Sequence, residues 1–136
     1  MLVKVVSGGQ SGCDQAALRA AKAVGIHTGG FAPLGFLTED GPAPWLANYG
    51  LIEAPTADYP TRTRLNIEAA DTTLLLVWGI IGYGSRGSQL VVRLCSELGK
   101  SLTTVDLQRS SPRDAHALLS PDVRILNVAG NRESGC

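Results

Sequence analysis

The chain has no charge to spare: twelve Lys and Arg stand against twelve Asp and Glu, a formal net charge of zero. Coating a polyanion takes a basic surplus, so no nucleic-acid partner is expected. No apolar run approaches the roughly 20 residues of a membrane-spanning helix, so no membrane partner is expected either. The first residues run directly into a strand-like segment, Leu2 to Val6, without the layout of a signal peptide. Cysteine is scarce and odd in number: Cys13, Cys95 and Cys136, with no C-x-x-C spacing. That pattern reads as reduced thiols in a cytoplasmic setting. The two histidines, His27 and His116, lie far apart in sequence, so no metal site is expected. Cys13 lies near a predicted helix start but has no adjacent histidine, so a nucleophile is not expected there. Cys95 reads as core, and the scarce tryptophans, Trp45 and Trp78, read as packing or interface residues.

What the chain does have is glycine and alternation. Its 136 residues are 44% hydrophobic and 18% charged. That describes one globular domain over 1–136, large enough to bury a core without staples. Leu2 to Val6 predicts a buried strand. Cys13 to Val24 places Ala17, Ala20, Ala21 and Val24 on one helical face and stops at Gly25. Ile26 to Thr28 predicts a short strand. Gly29 to Pro60 holds five of the seven prolines and no periodic stretch, so it reads as one long irregular, functional loop. A helix is predicted over Thr61 to Ala70. Thr72 to Trp78 is continuously apolar, the mark of a strand covered on both faces. A helix over Ser88 to Leu98 closes at Gly99. Leu102 to Leu107 predicts a strand, Pro112 to Leu119 a short helix and Val123 to Ala129 a last strand. The alternation predicts an α/β fold: a Rossmann-like, doubly wound, mostly parallel sheet with helices on both faces. Such sheets bind ligands outside the carboxyl ends of their strands, where most of the glycine clusters fall.

The first cluster, Ser7-Gly8-Gly9-Gln10-Ser11-Gly12, joins a strand to a helix. Its glycines let backbone N–H groups approach an anion, with hydroxyls from Ser7 and Ser11 nearby. Its G-G-x-x-G pattern is neither the dinucleotide fingerprint nor a Walker A loop. The alternative is a tight turn in which Ser11 and Asp14 make a capping box. The second cluster runs from Gly79 to Ser88. There Ser85 and Ser88 offer hydroxyls, Arg86 a planar cation and Tyr83 a ring for stacking. Two such loops at one crevice would cradle a phosphorylated ligand, and a solvated loop is the other reading. Glu39 and Asp40 are the acids to nominate for catalysis, as ligand acceptor or general base, against a plain solvated turn. Arg62 and Asn66, four apart on a helix, present a guanidinium and an amide either to an anion or to solvent. Asn127 to Ser134 closes the same crevice or ends the chain.

Together these segments resemble the molybdenum cofactor carrier proteins. The matching residues are Ser7 through Leu18, Gly25-Ile26 with Gly29-Gly30, Glu39 through Pro42, Arg62-Thr63 with Asn66, and Leu126 through Gly130 with Arg132-Glu133-Ser134. That family is similar to the Rossmann-like group holding the lysine-decarboxylase-like, cytokinin-activating phosphoribohydrolases. The resemblance implies a homo-oligomer that binds molybdenum cofactor, a pterin bearing a phosphate, and passes it to molybdoenzymes. On this reading Gly8, Gly9, Gln10, Ser11 and Gly12 cradle the phosphate, with Ser7 and Arg62 beside them. Gly84, Ser85, Gly87 and Ser88 form the other half and Arg86 neutralises charge. Asp14 orients the first loop or binds a ligand hydroxyl.

The sequence also departs from the family pattern. Ser11 replaces a usual Thr, Gln15 a usual Arg and Asn131 a usual Pro, and the tail ends early, at Cys136. Gly84-Ser85-Arg86-Gly87-Ser88 replaces a Gly-Gly-Thr core, and Val91 stands where the phosphoribohydrolases carry a catalytic glutamate. The expected function is therefore a carrier of a phosphorylated small molecule rather than an enzyme. The alternatives are a nucleotide-binding sensor working with a partner protein and a nucleotide N-glycoside hydrolase. The hydrolase requires Glu39, Asp40 or Asp14 against the ribose.

Overall fold

The computed structural model describes residues 1–79, 85–111 and 119–130. In chain order the elements are β1 (Lys4–Val6), α1 (Cys13–Ala23), β2 (His27–Ala32), β3 (Leu37–Thr38), β4 (Gly41–Pro42), a 3-10 turn (Pro44–Tyr49), β5 (Leu51–Glu53), α2 (Tyr59–Ala69), β6 (Thr72–Val77), α3 (Arg86–Leu98), β7 (Ser101–Asp106) and β8 (Ile125–Gly130). Six strands form one sheet in the order β5-β2-β1-β8-β6-β7, and every neighbouring pair is parallel. Strands β3 and β4 make a small antiparallel hairpin outside it.

The last strand of the chain sits in the middle of this sheet, with Leu126 beside Val5 on one side and Thr72 on the other. Counted from β8 instead of β1, the strands walk outward through β1, β2 and β5 to one edge, then through β6 and β7 to the other. This is the doubly wound plan with its starting point shifted. Its switch point, where ligands bind in such sheets, falls between β8 and β6.

The expected Rossmann-like architecture is the observed one. Helix α1 covers one face, where Ala21 packs with Val5, Leu74, Val105, Leu126 and Val128. Helices α2 and α3 cover the other, where Ile67, Val91, Leu94 and Cys95 pack on Leu75 and Val77. Leu74 and Leu75 thus point to opposite faces and are both buried, which is why β6 reads as a continuous apolar run. Burial raises the thiol pKa of Cys95, as its place in the core requires.

One sequence expectation fails. Residues 29–60 are not one irregular loop, because they hold most of β2, the β3–β4 hairpin, the 3-10 turn and β5. Their apolar anchors, Ala32, Ala43, Leu46 and Leu51, form one cluster with Leu18 of α1. Isolated anchors between glycines and prolines leave no period in the sequence, and Gly29-Gly30 join the sheet through backbone alone. The helix expected from Pro112 lies outside the described residues, although Leu119 is described and packs on the α1 side of the core.

Two carboxylates fasten the element ends. Asp58 caps α2 by accepting the Thr61 N–H at 2.8 Å, and Asp71 accepts the N–H groups of Ile125 (2.8 Å) and Arg124 (2.9 Å) at the start of β8. The Thr56 hydroxyl and then Thr61 hold Asp58 below its ordinary pKa. The Ile125 and Arg124 amides do the same for Asp71. A depressed folded pKa means stability that is present above the unfolded value, near 3.8, and lost as pH falls through the folded one. These two groups are therefore expected to contribute a fall in melting temperature once pH drops below about 4. Asp71→Asn should flatten that acid limb while lowering the neutral-pH melting temperature, and thermal melts across the range check both.

Candidate functional site

A cleft of about 640 Å³ opens at the switch point. Gly8, Gln10 and Asp14 enter it from the first glycine loop and α1. Tyr59, Arg62, Thr63 and Asn66 come from α2, Ser85, Arg86 and Gly87 from the start of α3, and Asn127 to Gly130 from β8. Leu75, Leu90, Val91 and Val128 supply an aliphatic lining.

The first loop is tied down from inside. Ser7 is fully buried, and its hydroxyl donates to the Asp14 carbonyl at 3.1 Å while accepting the Gly9 N–H at 3.4 Å. The capping box of the alternative reading is absent. Gly12, at φ 82°, is the residue at the helix start, and no side chain caps it. Its turn carries Ser11 away, so that the Ser11 hydroxyl donates to Glu39, and Asp14 Oδ2 accepts the Gln10 N–H at 3.2 Å.

The glycines of this loop serve different neighbours. A side chain at Gly9 would meet Leu46 Cδ1 at 2.7 Å on the core side. A Cβ at Gly8 would stand 1.9 Å from Arg62 Nη1, so the Arg62 guanidinium lies across Gly8. Arg62 Nη1 is also 3.4 Å from Asp14 Oδ2, with both side chains nearly buried at 12% and 5% exposure. Its Cζ lies 5.5 Å from the Tyr59 ring centroid.

Asn66 does not offer its amide to an anion. Its Nδ2 donates to the carbonyls of Phe31 (2.9 Å) and Arg62 (3.0 Å), and its Oδ1 accepts the Phe31 N–H at 2.8 Å. It pins α2, and with it Arg62, to β2. At the start of α3, Ser85 accepts the Ser88 N–H at 3.1 Å, and its hydroxyl donates to the Ser88 hydroxyl at 2.9 Å. The N–H groups of Arg86 and Gly87, in the first turn, have no intrahelical acceptor. A Cβ on Gly87 would meet no atom of the described residues within 4 Å.

Of the residues singled out in the sequence, Gly8, Gln10, Asp14, Arg62, Ser85, Arg86 and Gly87 come together in the cleft wall. Ser7, Gly9, Ser11, Gly12 and Ser88 stand behind it as support. Glu39 and Asp40 sit on the β3–β4 hairpin and do not line the cleft. The Glu39 N–H donates to Gln10 Oε1 at 3.1 Å, its carboxylate takes the Ser11 hydroxyl, and the Asp40 N–H donates to Thr38 Oγ1 at 3.1 Å. Gly84 and Tyr83, like Arg132 to Ser134, lie outside the described residues. Sequence reasoning missed Tyr59 and the aliphatic lining. Tyr59, three residues before Arg62 on the same helix, was within reach of helical spacing.

The model of the circularly permutated YpsA SLOG family matches residues 5–136. The chain belongs to this family. The permutation explains the central place of β8, since the outward walk of strands starts there. A solved structure described as a putative molybdenum carrier protein from Syntrophus aciditrophicus SB is 37% identical. It superposes with a TM-score of 0.88 over 98% of this chain and 84% of that one. The search of curated proteins found no match. The resemblance read from the sequence thus agrees with both the family and the solved relative. Among the described residues of this SLOG chain, no helix is long and apolar enough to cross a membrane.

Proposed function

We propose that this chain binds a phosphorylated, flat-ringed small molecule in the switch-point cleft and carries it, the cargo being molybdenum cofactor. The observation behind the reading is the Arg62 guanidinium lying across Gly8 in the same cleft as the first turn of α3. A phosphate there meets a planar cation, an uncluttered backbone and a helix N-terminus. Leu75, Leu90, Val91 and Val128, with the Tyr59 ring, give a flat ring an apolar surface. The described charged residues of the lining are Arg62, Arg86 and Asp14, two positive and one negative, which favours an anion. The relative's description as a molybdenum carrier supports the choice of cargo. Homo-oligomeric assembly, a cytoplasmic setting and delivery to molybdoenzymes belong to the same proposal.

The geometry favours a carrier over an N-glycoside hydrolase. Asp14 is the acid among the described lining residues, and its carboxylate already takes the Gln10 N–H and the Arg62 guanidinium.

Anaerobic native mass spectrometry of the protein mixed with molybdenum cofactor and a panel of nucleotides including AMP tests the proposal. The expected result is a retained pterin adduct. A nucleotide adduct alone would move the assignment to a sensor, and release of ribose 5-phosphate would move it to a hydrolase. Gly87→Val is the matching variant. Its side chain meets no described residue at the helix start, so stability should change by less than about 1 kcal/mol. Ligand affinity should fall about tenfold or more, since the branched side chain obstructs the helix N-terminus. Calorimetric titration beside a urea melt separates the two effects.

A further inference from the structure

Arg62 is the cation around which the cleft is arranged, and its neighbours fix its pose. Asp14 Oδ2 lies 3.4 Å from its Nη1 and also accepts the Gln10 N–H at 3.2 Å. One carboxylate oxygen therefore ties the guanidinium to the backbone of the glycine loop. From the other direction Asn66 holds the Arg62 carbonyl at 3.0 Å, and the absent Cβ of Gly8 leaves the seat that Arg62 Nη1 fills. A loose arginine spreads over many rotamers, and an anion that binds it bears the cost of ordering it; a seated one has been ordered by the fold.

We infer that Asp14 is a positioning residue that holds Arg62 across Gly8 in its anion-binding pose and does not itself touch the ligand. The inference rests on the phosphate site proposed above and adds a sign to it. If Asp14 acted only through its own charge it would repel an anion, and neutralising it would raise affinity. Acting through Arg62, its neutralisation lowers affinity, because the guanidinium loses its seat.

The test uses the full chain, with AMP and inorganic phosphate as probes in calorimetric titrations. Asp14→Asn is expected to weaken AMP binding about tenfold, the usual worth of one charge-assisted hydrogen bond. In an Arg62→Gln background the same change should alter affinity by less than about twofold, as it does when two residues act as one unit. Higher affinity in Asp14→Asn, or an equal loss with and without Arg62, would overturn the inference. Asp14→Ser, which keeps a hydroxyl acceptor for Gln10, is the second variant where Asp14→Asn folds poorly. A ligand-free readout stands beside the titrations: the Arg62 Nε–H is buried and is expected to give a resolved, slowly exchanging resonance in the wild type, which should average out when Asp14 is replaced. An unchanged resonance also refutes the positioning role. If the wild type binds neither probe nor molybdenum cofactor, the proposed function fails instead, while the resonance still decides whether Asp14 holds the guanidinium.

Discussion

Asn66→Ala is expected to destabilise the protein by about 4 kcal/mol, because three partly buried backbone groups lose its amide at once. Asn66 is 1% exposed, and its amide makes three hydrogen bonds, two to the backbone of Phe31 in β2 and one to the Arg62 carbonyl in α2. Alanine removes all three and leaves a void too lined with polar atoms to close by collapse. Each buried group left unsatisfied costs roughly 1–3 kcal/mol, well above the net value of an ordinary hydrogen bond. The same bonds also fix the height of α2 against the sheet, so Arg62 should leave its place over Gly8 and phosphate affinity should fall with stability. Urea unfolding reads the first effect as a lower midpoint at unchanged slope. A loss below about 1 kcal/mol would mean that water replaces the amide, and would remove Asn66 as the link between sheet and site.

That link also shows what the sequence could convey about the site. Arg62 and Asn66 were legible as a helical pair on one face, because four-residue spacing is a local property. Their division of labour was not, since it depends on which side of that face meets Phe31, a residue 35 positions away from Asn66. The alternation of strands and helices was legible for the same local reason. Even the buried nature of β6 came through, because both of its faces are covered and the run from Leu74 to Val77 is apolar throughout. The segment 29–60 was opaque because its strands pair through glycine backbones and the anchors of its cluster stand apart in sequence. The capping box failed for a comparable reason: Ser11 had a better partner in Glu39, on a hairpin 28 residues later. Short motifs thus pointed to the strand ends where the cleft opens, while long-range partners decided which motif residues face it.

Gly30→Ala is expected to exceed even the Asn66 effect. The added Cβ would stand 2.3 Å from the Ser7 carbonyl oxygen, 2.9 Å from the Ser7 nitrogen and 2.8 Å from Asn66 Oδ1. The first two are backbone atoms of the segment leading from β1 into the glycine loop, so no rotamer change relieves the contact. Gly30 also has φ of 125°, a conformation L side chains rarely adopt, so the strain persists even if the neighbours part. Relief requires β2 to move away from the β1 segment, breaking the Ser7 N–H bond to Gly29 (3.2 Å) and the Asn66 bridge together. A loss above about 4 kcal/mol is the expected scale, a large share of the 5–15 kcal/mol that a typical domain possesses. The variant should accumulate poorly and lack near-ultraviolet circular dichroism. Gly87→Val provides the contrast, because it adds more atoms yet its Cβ meets none of the described residues within 4 Å, and it should fold normally. If Gly30→Ala instead unfolds at the wild-type urea midpoint, β1 and β2 do not approach this closely. The seat that Asn66 and Ser7 provide for Arg62 and the first loop would then fail with it. If the two variants separate as expected, Gly30 is glycine because the fold requires it, and the absence of a side chain at Gly87 is left for a ligand to explain.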